Sequence, residues 1–204
     1  MNIEIRELRN KDHKKAVKAA IKGMHFNWYM NNRLLLNLYG RYFWYLELLQ
    51  STQIIAAYVR DEFAGVLLAK AKDEKKQYYS FWKLFYVKVF DYFQKRFCKE
   101  SVGIYDKTNE EMYLQYSKTH SPDGEIIFLA ANPAIKVKGI GSKLLNELEQ
   151  REKGKEFYLY TDNACTYQFY EHKGFERVCE KNIVLSFESK KIPLQCLLYS
   201  KVMN

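Results

Sequence analysis

The sequence predicts a single α/β domain on a mixed sheet flanked by helices, and three stretches carry that prediction. "QIIAAYVRDEFAGVLLAKA" sets two apolar runs around the polar turn Arg60-Asp61-Glu62, the pattern of a hairpin. "EIIFLAA", an apolar helix pattern from Ile140 to Glu152, and "FYLYT" then follow as strand, helix and strand. Two last strands, about 182 to 188 and 194 to 201, turn at Ser189-Lys190-Lys191. Such a sheet is part antiparallel and part parallel.

The remaining elements fall between these. Residues 2 to 8, "NIEIREL", alternate apolar and polar as a first strand. "KDHKKAVKAAIKG" has helical spacing and stops at Gly23. A second helix runs from Asn31 to Leu49 on Leu34, Leu35, Leu38, Tyr42, Tyr45 and Leu49. From Lys75 the chain turns aromatic, "KKQYYSFWKLFYVKVFDYFQKRF", which predicts one or two added helices over the rest of the fold. "SVGIYDKTNEEMYLQYSKTHSPDG" reads as a short helix and a loop ending at Ser121-Pro122-Asp123-Gly124, and Asn163 to Lys173 as a helix.

With 204 residues, 48% of them hydrophobic, and only three prolines and nine glycines, the chain has one sizeable core and no linker, so residues 1–204 form one domain. The formal charge of +9, from 33 Lys+Arg against 24 Asp+Glu, attracts phosphates of any kind. The basic residues mostly alternate with acids, as in "NKDHKKAVK", so charge alone does not select a partner. The N-terminus has an early acid and no apolar core, unlike a secretory signal. Lys83, Lys88 and Asp91 interrupt the most apolar region, so no membrane span is expected. Cys98, Cys165, Cys179 and Cys196 lie far apart with no C-x-x-C pair and no histidine at ligand spacing, which predicts reduced thiols in a cytoplasmic protein and no metal.

The stretch with the most chemistry is "NPAIKVKGIGSKLL", residues 132 to 145. It joins a buried strand to a helix whose apolar positions are Ile140, Leu144, Leu145 and Leu148. The first turn of a helix has N–H groups without intrahelical partners and carries the positive end of the macrodipole. Glycines at 139 and 141 remove Cβ atoms from the approach, and Lys136 and Lys138 add charge. Two nucleotide loops are excluded: position 144 is leucine rather than a third glycine, and no Gly-Lys-Ser/Thr follows a four-residue gap. Taken alone, the stretch is either an anion site or a glycine turn that binds nothing.

Its surroundings narrow the choice. "FLAANPAIKVKGIGSKLLNELE" followed by "TDNACTYQFYEHKGFERV" resembles the GNAT superfamily of acyl-CoA-dependent N-acetyltransferases. The family's central motif, a strand, often a proline, then [RQ]-x-x-G-x-[GA] and a helix, is matched by Lys136-Val137-Lys138-Gly139-Ile140-Gly141. Its later motif, Asn, a short helix with a tyrosine and a Gly-Phe pair, is matched by Asn163 through Tyr170 to Gly174-Phe175. The two motifs cover about 125 to 178, and the outer elements follow the family order. Residues from about 73 to 122 do not, and form an expected helical, aromatic-rich insertion between strands 3 and 4. Lys136 replaces the usual Arg or Gln, and Ala131 a usual valine; neither removes a backbone donor.

The resemblance implies acetyl-CoA as acyl donor and, by direct attack in a ternary complex, transfer of acetyl to a primary amine. That amine is a small molecule or a protein; neither nucleic acid nor membrane is expected as partner, and a homodimer is possible. The family's loop amides hold pyrophosphate, which maps here to Val137, Lys138, Gly139, Ile140, Gly141 and Ser142. Pantetheine enters a gap where the fourth strand diverges near a bulge, beside Leu129 and Ala131, with an N–H near Leu129 polarising the thioester carbonyl. Asn163 matches a second cofactor contact, or is a plain helix N-cap. Tyr170 matches the general acid, while Phe169 and Phe175 suit packing. Glu125 matches the glutamate that serves histone-type members as general base; otherwise it is an ordinary charge at a strand end. His25 and His172 are weaker candidates for the base. Together with Phe26, Trp28 and Tyr29, His25 borders the expected acceptor pocket. The aromatic stretch 78 to 97 is read as core or dimer contact, with a lid as the other option. Two other readings stand beside the enzyme: a non-catalytic acyl-CoA-binding regulatory module, and an anion-surface binder driven by the +9 charge.

Overall fold

A computed structural model describes residues 2–30, 32–97, 102–187 and 190–204. Strand β1 (Glu4–Arg6) and a 3-10 turn at Asn10–Asp12 lead into α1 (His13–Gly23), which buries Ala16, Val17, Ala19 and Ala20. A single turn, α2 (Phe26–Tyr29), interrupts the expected loop. Helix α3 (Arg33–Gln50) starts where the Asn32 side chain accepts the N–H groups of Leu34 (2.9 Å) and Leu35 (3.2 Å).

The predicted hairpin is β2 (Gln53–Val59) and β3 (Glu62–Ala71). Glu62 already pairs with Val59, so the turn is the two residues Arg60 and Asp61, both left-handed at φ 49° and 64°. A two-residue turn of that hand matches the twist of the flanking strands. Between β3 and β4 (Gly124–Ala131) lie α4 (Phe81–Phe97) and α5 (Val102–Tyr116), so this region is helical as expected. The expected short helix is instead 15 residues long. Helix α4 packs on α3, where the Tyr42 hydroxyl donates to Asp91 (2.6 Å) and the Tyr86 hydroxyl to the Leu38 carbonyl (3.0 Å).

The chain continues through α6 (Ile140–Arg151), β5 (Glu156–Asp162), α7 (Gln168–His172), β6 (Glu176–Phe187) and β7 (Lys190–Val202). The helix expected from Asn163 is thus cut to five residues. Asp162 is the cause, because its Oδ1 accepts the N–H groups of Ala164 (2.9 Å) and Cys165 (3.1 Å) and closes a turn first. The last two strands run longer than expected. Exposed Glu176, Glu180 and Asn182 gave β6 a polar look, although β7 pairs it throughout. Of the expected turn, Ser189 lies outside the described residues, and Lys190 and Lys191 belong to β7.

Among the described residues seven strands form one sheet in the order β1-β2-β3-β4-β5-β7-β6, parallel only at β4–β5. On one face, Ile140, Leu144, Leu145 and Leu148 of α6 pack on Ile55, Leu67, Phe157 and Tyr199. On the other, Ala20, Trp44 and Leu48 pack on Tyr58, Val66, Leu68 and Phe128. On α5, Met112 and Tyr116 close a third cluster over Leu185, Leu194 and Leu198 of the last strands.

Candidate active site

The sheet opens at its centre. Strands β4 and β5 pair only at Gly124–Phe157 and Glu125–Tyr158, and then diverge. On the β3 side, Leu68 pairs with Phe128 and Ala69 with Ile126, so Ile127 is the extra residue of a bulge. The expected bulge and gap are therefore both present. Beyond the bulge, Asn132 N–H is bonded to the Ala64 carbonyl of β3 (2.7 Å). Strand alternation then turns the N–H groups of Ala131 and Leu129 away from β3, toward the gap.

The glycine loop stands at the mouth of this gap. Ile135 and Val137 pack on the core while Lys136 and Lys138 point outward. Gly139 is the N-cap of α6 at φ 87°, a conformation that L side chains avoid, and a Cβ built there meets nothing within 4 Å. The first bond of α6 runs from Lys143 N–H to Gly139 C=O (2.9 Å), so the amides of Ile140, Gly141 and Ser142 face outward without intrahelical partners. Open space over these amides is what an anion needs. Gly141 has a different task. A Cβ there would lie 3.3 Å from the Phe169 ring and 3.6 Å from Leu129, so its bareness lets α6, α7 and β4 converge. Gly65 acts similarly, since a Cβ on it would press on the Ala130 carbonyl (2.8 Å) and Ile140 (2.9 Å). A cavity of about 470 Å³ lies on the far side of the loop, between Val59, Arg60 and residues 134–137, and not in the gap.

Helix α7 supplies the other wall. Tyr170 packs edge-on against Phe169 (5.3 Å) and Phe175 (5.7 Å), and among the described residues no group hydrogen-bonds its hydroxyl. Burial, with the Cys165 thiol nearby, raises its pKa far above the ordinary phenol value, so the proton stays on at neutral pH. Cys165, itself pushed up to about 12 mainly by burial, donates to the Gly23 carbonyl (3.8 Å) and ties the end of α1 to this wall. Asn163 does not cap a helix. Its Oδ1 accepts the Gln195 N–H of β7 (3.0 Å), which leaves its amide nitrogen for a ligand.

Across the sheet, α3 and α5 bring carboxylates toward Glu125. The Tyr158 hydroxyl donates to Glu125 (3.1 Å), whose cross-strand neighbour is Lys70. Burial raises the Glu125 pKa, opposed by the Tyr158 bond and the Lys70 charge. Glu47 on α3 is lifted further, to about 8, first by burial and then by the charges of Glu125 and Asp106; its bond from Gln50 (2.6 Å) and Lys70 oppose the rise. The Tyr158 ring lies tilted against Tyr113 (5.0 Å) and edge-on to Tyr160 (5.5 Å).

Comparison with known proteins agrees with this geometry. Residues 101–175 match the family model described as Acetyltransferase (GNAT) family. Over that stretch the chain is similar to the GNAT family. Arylalkylamine N-acetyltransferase 2 from Aedes aegypti is 18% identical and superimposes with a TM-score of 0.63 over 100% of both chains. A histone acetyltransferase HPA2 and related acetyltransferase from Corynebacterium glutamicum is 16% identical, TM-score 0.60, over 100% of this chain and 98% of that one. PaiA N-acetyltransferase from Thermoplasma acidophilum, solved in complex with coenzyme A, is 16% identical, TM-score 0.52, over 99% of each. These likenesses show the fold. No curated protein sequence matches the chain.

Within this GNAT fold the predicted residues do not all meet. Leu129, Ala131, residues 137–142 and Tyr170 border the gap, with Glu125 at its apex. His25 is left-handed (φ 52°) and rests its ring 4.2 Å from that of Trp28, which is half exposed. Phe26 is a core residue, with its edge on Tyr39 (4.9 Å) and Phe43 (5.2 Å); the side chain of Tyr29 lies outside those described. His172 ends α7 and is exposed. Sequence reasoning missed Glu47, Asp106 and Gly65. Glu47 had a signal, as the one acid in "RLLLNLYGRYFWYLELLQ", and Gly65 had one as a glycine inside a strand.

Proposed function

We propose that the chain transfers the acetyl group of acetyl-CoA to a primary amine by direct attack in a ternary complex. The observation that supports this is the β4–β5 opening, which begins beyond Glu125, with the bare amides of the α6 N-terminus at its mouth and helix α7, which carries Tyr170, packed beside them through Phe169. When bound, acetyl-CoA supplies the thioester. The amides from Val137 to Ser142 hold its pyrophosphate, and the Leu129 and Ala131 backbone lines the pantetheine arm. Asn163 has its amide nitrogen left for a contact.

The acceptor reaches the gap from the α3–α5 side. A free alkyl ammonium has no lone pair, so the site must first hold the cation and then take its proton. Glu47, Asp106 and Glu125 favour the cation, whose charge in turn favours their ionised forms. Glu125 takes the proton, directly or through water, because it sits where the strands part. After attack, the departing thiolate needs a proton, and the Tyr170 hydroxyl, kept protonated by burial, donates it. Thiol release from acetyl-CoA across a panel of amines tests the reading. Turnover on one or more amines supports it; tight coenzyme A binding with no turnover on any favours the regulatory module.

A further inference from the structure

Helix α4 has two faces. Its inner face carries Tyr86, Val87, Phe90 and Asp91, and Phe90 stacks on Tyr42 at 4.6 Å. At 100° per residue, Phe81, Trp82, Phe85, Lys88, Val89 and Tyr92 fall within about a third of the helix circumference on the opposite side. Trp82 is 77% exposed, Tyr92 68%, Phe81 61%, Phe85 55% and Val89 37%. Taking roughly 150–250 Å² for each aromatic side chain, this leaves on the order of 600 Å² of apolar surface uncovered, the upper end for a monomer.

The charge near this face is mainly positive. Lys88 stands within the arc, and exposed Lys72, Lys75 and Lys76 precede the helix with one exposed acid, Asp73, among them; Glu74 is paired with Lys155, and the acid of α4, Asp91, is turned inward onto Tyr42. We propose that the outer face of α4 lies in the headgroup region of an anionic lipid membrane, with its rings among the acyl-chain ends and its lysines on lipid phosphates. Trp, Tyr and Phe on one side of a helix with lysines around them is the composition of a helix that lies in that interface. A second copy of the chain fits less well, because two-fold pairing of this face sets Lys88 against Lys88 on chains that each carry +9. No helix among the described residues is long and apolar enough to cross a membrane, and an interfacial helix needs only one apolar face.

Co-sedimentation of the full chain with phosphatidylcholine vesicles, with and without phosphatidylglycerol, tests this. The phosphatidylglycerol vesicles should bind at least tenfold more tightly, and salt should weaken the binding. The double variant Trp82→Glu/Phe85→Glu should lose at least tenfold in binding, with its melting temperature and thiol release retained, since both rings face solvent. Equal binding of the two vesicle types, no binding to either, or an undiminished double variant would overturn the proposal. So would a wild-type dimer in sedimentation velocity that the double variant dissolves.

Discussion

Gly139 offers the sharpest perturbation. It holds φ 87° at the start of α6, with nothing within 4 Å of where a Cβ would stand. Gly139→Ala therefore adds backbone strain of about 1–2 kcal/mol but no clash. Gly139→Glu adds the same strain and a carboxylate over amides proposed to hold pyrophosphate. At ~5 Å and an effective dielectric of ~20, each phosphate charge is repelled by about 3 kcal/mol. The coenzyme A dissociation constant should thus rise at least about 100-fold for Gly139→Glu relative to Gly139→Ala. Isothermal titration of the two variants and wild type reads this directly. Glu and Ala variants within about threefold of each other, both folded by circular dichroism, would refute the electrostatic argument.

Three further outcomes follow from the site. Tyr170→Phe should lower kcat by about 100-fold while leaving coenzyme A affinity and melting temperature nearly unchanged, because the lost hydroxyl has no protein partner among the described residues; a wild-type kcat across pH would remove Tyr170 as acid. Glu125→Gln should abolish the acidic limb of the kcat/KM–pH profile, which an unaltered limb would contradict. Glu47→Gln is read by stability. With its pKa raised to about 8, Glu47 keeps its proton in the folded chain after the unfolded chain has lost it, so wild-type stability falls as pH rises from ~4.5 to 8, by at most ~1.4 kcal/mol per unit. Urea unfolding should show the glutamine variant gaining on wild type over that window, and parallel curves would contradict the burial of this carboxyl.

Much of the fold was legible because local pattern and tertiary role agreed. The β2–β3 hairpin, α6 and the glycine loop each carry apolar spacing that matches the buried face observed. The loop after β5 was misread because Asp162, a residue with no apolar pattern to break, claims the next amides for a turn. The acceptor side was the least legible. Glu47 and Glu125 are 78 positions apart, and only the packing of α3 over β4 makes them electrostatic neighbours. Asp106 reaches them from α5, a helix whose sequence showed little more than a short element. Gly141 illustrates a motif residue whose role was assigned too narrowly, since the Phe169 ring explains its missing side chain at least as well as a ligand does.

The central claim is catalysis at the β4–β5 gap. Its most direct measurement is release of free coenzyme A from acetyl-CoA in the presence of an amine library, with the acetylated amine identified by mass. Amine-dependent thiol release should match acetylated product stoichiometrically and collapse in Gly139→Glu. Saturable coenzyme A binding without amine-dependent release, for every amine in the library, would contradict it.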